Sequence, residues 1–178
     1  QRRRKKVVKI ILIISIFSIF TFAGYIYGES FRKRLLNLNE CYKGVLLLQN
    51  EVVFNTTPLP EALYEISKKS KEPFNKLISN VSDDLKNGEI GDVYIAFKEN
   101  YEDVKEEVYL NKEDKDILGD FLKSLGYSGV YGQEKIFNLA LENLKINIKE
   151  AGEESKKNTK LYRYLGMCFG AMISIFLL

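Results

Sequence analysis

Residues 133–178, QEKIFNLALENLKINIKEAGEESKKNTKLYRYLGMCFGAMISIFLL, decide the fold. They open with the apolar spacing of a helix facing a soluble core and close as a hydrophobic run with no charge after Arg163. That order describes a helix that starts in water and ends in lipid. Tyr162 and Tyr164 stand at the polar end of the run, where amphipathic rings favour the membrane interface. From Tyr164 the run has 15 residues, about 22 Å of helix against a hydrocarbon core of about 30 Å. A segment of this length spans by thinning the bilayer locally, with Arg163 reaching back toward the headgroups. A helix hairpin buried in a soluble core is the competing reading.

The other end of the chain repeats the pattern. Ile10 to Gly28 carries no charge over 19 residues, about 28 Å of helix, enough to cross a bilayer. A basic start followed by an apolar run also describes a signal peptide, but no clear small-x-small cleavage site follows and the run exceeds a usual h-region. A retained anchor is expected, with Tyr25 and Tyr27 mirroring Tyr162 and Tyr164. The expected organisation is a basic tail and N-terminal transmembrane helix over 1–28, a soluble helical bundle over 29–160 and a C-terminal transmembrane helix over 161–178. Charge counts on the two sides of the anchors compete. Arg2, Arg3, Arg4, Lys5, Lys6 and Lys9 pull the N-terminus inward, whereas Arg32, Lys33, Arg34, Lys156, Lys157, Lys160 and Arg163 lie on the domain side.

Among 178 residues, 46% are hydrophobic, three are proline and none is tryptophan or histidine, a composition that favours one ordinary helical domain between the anchors. The net charge is +3, and without the six cations of the first nine residues it becomes 3 − 6 = −3. The basic balance therefore belongs to the tail and points to a membrane surface or topology signal, with no nucleic-acid partner expected. Cys41 falls in an amphipathic stretch and Cys168 in the terminal apolar run, so no bridge between them is expected.

Between the anchors the period is helical and the punctuation divides it into about six segments. The first, from about Glu29 to Phe54, has Leu35, Leu38, Tyr42, Val45, Leu46 and Val52 on its apolar face and ends at Asn55-Thr56-Thr57-Pro58-Leu59-Pro60. Thr57 is the expected N-cap of a second helix, with Pro58 at its first position and Glu61 complementing the dipole. The third follows Pro73 and stops at Asn87-Gly88. Asp92 is expected to cap the fourth, and Asn111, with Asp114 three residues on, the fifth. Gly126 is expected to end the fifth, and the sixth to start near Gln133 with Ile136, Leu139, Ala140, Leu144 and Ile148 inward. Short connections predict an antiparallel six-helix bundle.

No catalytic residue, metal ligand or cofactor site is expected. Histidine chemistry is excluded, two separated cysteines do not close a metal shell, and no serine sits in a nucleophile elbow. Gly126, Gly129 and Gly132 follow no strand and precede no Lys-Ser/Thr pair, so they read as a helix end and turn, not a phosphate cradle. Residues 83–120 hold 13 acids against 5 bases, read as a solvated face, with an acidic docking surface for a basic partner as the alternative. Two prolines at Thr57, Pro58, Leu59, Pro60 and Glu61 fix a rigid exposed corner. It is read as a plain helix start or as a partner-facing ridge bearing Leu59 and Glu61. Gly24 and Gly28 in one anchor, and Gly166, Gly170 and Ser174 in the other, form small-xxx-small ridges that let helix backbones approach in lipid. These ridges join the two anchors as a hairpin, recruit another protein, or are silent.

The stretch Thr57-Pro58-Leu59-Pro60-Glu61-Ala62-Leu63, Leu125-Gly126 before the last helix, and the ending Asn158-x-Lys160-Leu161-Tyr162-x-x-Leu165-Gly166-x-x-x-Gly170 resemble the stage III sporulation protein AB family. The likeness runs through both anchors and the helix order. It departs at the glycine-rich turn Tyr127 to Gly132 and in a longer basic N-terminus. The resemblance implies a six-helix domain similar to the cytoplasmic domain of the type II secretion F protein. It also implies a non-enzymatic scaffold in the mother-cell membrane around the forespore that docks a secretion-type ATPase to other membrane components, with no small-molecule substrate. A two-span sensor with an extracytoplasmic ligand-binding bundle is the alternative. It is weighed down because such sensors pass a signal to a further domain, and none follows Leu178 in this sequence.

Overall fold

The structure, a computed structural model, describes residues 2–88, 90–127 and 130–177. Among them every regular element is helical: α1 (Arg2–Gln49), a π-helical turn (Asn50–Phe54), α2 (Leu59–Lys69), α3 (Phe74–Asn87), α4 (Val93–Val104), α5 (Lys112–Tyr127) and α6 (Val130–Leu177). Two boundaries differ from the sequence reading. Gly126 lies inside α5, which runs on to Tyr127, and α6 starts three residues before Gln133. The side chains of Arg2 to Lys5, Tyr127, Val130 and Tyr131 and the turn residues Ser128 and Gly129 lie outside the described residues.

The chain divides into two compact units, Gln1–Arg32 with Ala151–Leu178, and Lys33–Glu150. In the second unit, Leu38, Cys41, Val45 and Leu48 recur on one face of α1 and are buried, as are Leu63 and Ile66 of α2, Leu77 and Val81 of α3, and Phe137 and Leu144 of α6. Helix α2 packs on α3, α3 on α4 and α4 on α5, while the Phe121 and Phe137 rings meet edge to face at 5.1 Å, joining α5 to α6. Leu46 and Leu139, expected inside, are 39% and 58% exposed. Each is one residue, about 100° of helical turn, from its buried neighbour Val45 or Ala140 and falls off the edge of the apolar stripe.

The helix ends follow their local chemistry. Gly88 ends α3 in the left-handed region at φ 71°, which glycine adopts without a Cβ clash. Asp92 Oδ1 accepts from the Tyr94 and Ile95 amides at the start of α4. At α5 the Asn111 side chain accepts from the Asp114 amide at 2.8 Å while Asp114 Oδ2 accepts from the Asn111 amide at 3.0 Å, a reciprocal capping box. Thr57 is not the cap of α2. Pro58 holds that position with no side-chain cap, and Pro60 lies in the first turn.

Asp114 is the most demanding group in this unit. It is fully buried, and its carboxylate accepts from Arg34 Nε at 2.8 Å, Arg34 Nη2 at 3.0 Å and Asn147 Nδ2 at 2.8 Å. Burial raises its pKa, but the Arg34 guanidinium, the Asn111 amide and the Asn147 side chain outweigh burial and hold the carboxyl below its usual range. Removing one partner of such a pair leaves an uncompensated charge, so Asp114→Ala is expected to lower stability by about 3–5 kcal/mol. Because the folded pKa is depressed, Asp114 contributes stability above its unfolded pKa of about 3.9 and loses it as pH falls through the folded value. Urea unfolding of wild type and Asp114→Asn should show a stability gap that is level near neutral pH and narrows below about pH 4.

Candidate functional site

The proline corner begins where α1 loosens into the π-helical turn, a feature frequent at functional sites. Phe54, the last residue of that turn, is 67% exposed. Thr56 follows at φ 52°, a left-handed conformation that costs a β-branched residue about 1–3 kcal/mol. Glu51 holds the loop: its side chain accepts from Asn55 Nδ2 at 3.1 Å and Thr57 Oγ1 at 3.2 Å, and its carbonyl accepts from the Thr57 amide at 2.9 Å. Thr57 therefore braces the corner from outside α2. On the far side the buried Ser82 hydroxyl donates to the Pro60 carbonyl at 2.7 Å and pins the first turn of α2 to α3.

Thr56, Pro58 and Glu61 are exposed, and Thr57, Leu59 and Pro60 half-buried. Leu59 and Pro60 form one wall of a groove of about 380 Å³ whose other walls include Val52, Leu85, Ile90 and Leu125. The structure thus gathers four stretches around the corner that the sequence reading treated separately. A π-helical turn and a positive φ at threonine carry no clear sequence signature, so that reading missed Phe54 and Thr56.

The expected anchor residues all lie in the first unit. A Cβ placed on Gly24 would stand 2.6 Å from the Tyr162 carbonyl oxygen and 2.8 Å from Gly166 Cα, and one on Gly166 would stand 2.7 Å from the Phe20 oxygen. Gly28 meets the Thr159 carbonyl oxygen at 2.8 Å in the same sense, while Gly170 is looser, 3.2 Å from the Phe17 oxygen. Ser174 is half-buried, its hydroxyl without a partner among the described residues. The backbones therefore approach most tightly at Gly24 and Gly166. Tyr27, Phe31 and Tyr162 form an aromatic cluster with centroids 4.5–5.7 Å apart. Glu29 accepts from Arg163 Nη2 at 2.9 Å and also pairs with Arg32. Among the described residues, α1 is the helix long and apolar enough to cross a membrane, and no residue of its most apolar window is buried.

Among the described residues no group of three or more His, Cys, Asp or Glu side chains is placed to hold a metal ion. Cys41 and Cys168 are both free, and burial pushes the Cys41 thiol up far enough to keep it neutral.

Comparison with known proteins gives one consistent result. The model of a family described as stage III sporulation protein AB matches residues 9–178. The chain is similar to the stage III sporulation protein AB of Bacillus subtilis (strain 168), 24% identical over 172 residues that cover 97% of this chain and all of that one. It is also similar to a solved structure of a stage III sporulation protein AB, with a TM-score of 0.63 and 25% identity over 69% of this chain and 96% of that one.

Replacing Thr56 by asparagine, which tolerates the left-handed region, should raise stability by about 1 kcal/mol. A higher urea midpoint with an unchanged denaturant slope would register the gain, and no change would mean that Thr56 carries no strain.

Proposed function

The chain belongs to the stage III sporulation protein AB family and so has a role in sporulation, and from that premise we propose that it is a non-enzymatic, two-span membrane scaffold. In this reading its helical bundle lies in the cytoplasm of the mother cell and docks a secretion-type ATPase to the membrane components of a sporulation channel. The observation that carries the docking is the corner Phe54 to Glu61, which combines an exposed aromatic ring, a strained residue and a proline-fixed ridge beside an apolar groove. Docked surfaces concentrate binding energy in a few such anchors. The ATPase itself is inferred from what the family resemblance implies, a domain similar to that of a secretion platform, an analogy that leaves function to be tested at the site.

Anchoring is supported by the glycine contacts of the first unit. Lipid tails supply no hydrophobic drive between helices, so backbone approach at small residues is what holds two spans together. Gly24 against Gly166 has that form, and the two anchors are read as one intramolecular hairpin.

Two measurements test these readings. With Cys41 and Cys168 replaced, cysteines at Phe17 and Gly170 should oxidise to a disulfide within one chain, because a Cβ at Gly170 stands 3.4 Å from Phe17 Cα. Crosslinks formed between separate chains alone would replace the hairpin with an oligomer. Glu61→Arg reverses an exposed charge on the ridge and should leave protein level and thermal unfolding unchanged while lowering spore yield and capture of the ATPase. Normal spore yield at wild-type protein level would remove the ridge from the docking site.

A further inference from the structure

From the juxtaposition of Arg32 on α1 with Lys156, Lys157, Lys160 and Arg163 on α6, we infer a binding collar for anionic phospholipid headgroups on the domain side of the membrane. Gly28 lies against Thr159, so one turn further along α1 Arg32 comes level with Ser155 and Lys156 of the opposed helix. On α6, Lys156, Lys160 and Arg163 recur at i, i+4 and i+7 and therefore share one face, with Lys157 at its flank. Five cations thus gather around a single seam.

Their neutralisation is incomplete. Glu29 is shared between Arg32 and Arg163, and neither an ion pair nor a hydrogen bond joins Lys156, Lys157 or Lys160 to a described residue. Glu153 and Glu154, the nearest acids on α6, lie further from the charge-free run, which begins at Tyr164. Like charges at i, i+4 repel, so the arrangement favours an external anion.

Depth selects the anion. Lys156 to Arg163 spans about 10 Å of helix, and the run behind Arg163 enters the hydrocarbon. The interfacial layer is about 6 Å thick on each side. Arg163 and Lys160 therefore sit among the phosphates, and the flexible stems of Lys156 and Lys157 reach the same layer from the water side. The Arg163 guanidinium stacks 4.5 Å over the Tyr25 ring, which fixes its height at the aromatic belt. The phosphate layer of a bilayer meets all five groups at once. The inference rests on the membrane reading above, and its test separates the two.

The sequence contains no tryptophan, so Leu161→Trp places a single fluorophore beside the collar and away from the N-terminal basic residues. The full chain carrying this reporter is reconstituted in phosphatidylcholine vesicles, and quenching by brominated phosphatidylglycerol is compared with quenching by brominated phosphatidylcholine. Each juxtamembrane cation contributes about fivefold in affinity for an anionic surface. A preference for the glycerol lipid of at least about fivefold is therefore expected at low salt, falling as salt is added. Replacing Lys156, Lys157 and Lys160 by glutamine should lower that ratio by at least about fivefold. Equal quenching by both lipids in the parent chain, or a preference that the triple replacement leaves unchanged, overturns the collar and leaves the anchor standing. Displacement by millimolar inorganic phosphate also overturns it, in favour of a free anion. Absence of quenching by either lipid removes the anchor reading and the collar with it.

Discussion

A carboxylate stripped of water has to be held from every side, and Asp114 sets that requirement for the helical unit Lys33–Glu150. Its two oxygens collect a guanidinium from α1, a backbone amide at its own helix start and a side-chain amide from α6. Each donor comes from a different part of the chain, and every one must arrive with good geometry for the charge to stay buried. A sliding of α1 or α6 by part of a turn would carry Arg34 or Asn147 off the carboxylate. The same residue closes the capping box of α5, so a local signal and a long-range one are satisfied by a single side chain.

The first unit is governed by a different constraint. There the decisive atoms are the ones glycine lacks. Gly24 and Gly166 let Tyr162 and Phe20 carbonyl oxygens come within a distance that any Cβ would forbid. Contacts of that kind select one rotation of each helix, and that rotation in turn brings Glu29 to Arg163 and stacks Phe31 on Tyr162.

Among the described residues, those singled out above are marked by shape and charge. Cys41 is a neutral, buried part of the core. The proposed partner contacts rest on exposed groups: an aromatic ring and a proline ridge at one corner and a set of cations elsewhere. Membership of a sporulation family and a surface of this kind are compatible descriptions of one protein.

By itself the sequence determined the helical class, the order of elements, the caps at Asp92 and Asn111 and the stop at Gly88, because those depend on periodicity and on bonds between residues at most a few positions apart. It left the glycine ridges open between a hairpin, an outside partner and no role. The tertiary structure alone decided which partner each surface meets. Helical spacing does not say that Leu139 faces water while Ala140 is buried, since both fit an apolar stripe until the neighbouring helices fix its edge. Nor does it say that Thr57 braces Glu51 instead of capping α2, because a threonine before proline suits both roles and the choice depends on the π-helical turn that swings Glu51 under the loop. Pairing Asp114 with an arginine 80 residues away is of the same kind: the capping pattern announced the carboxylate, and only folding supplied its counter-charge.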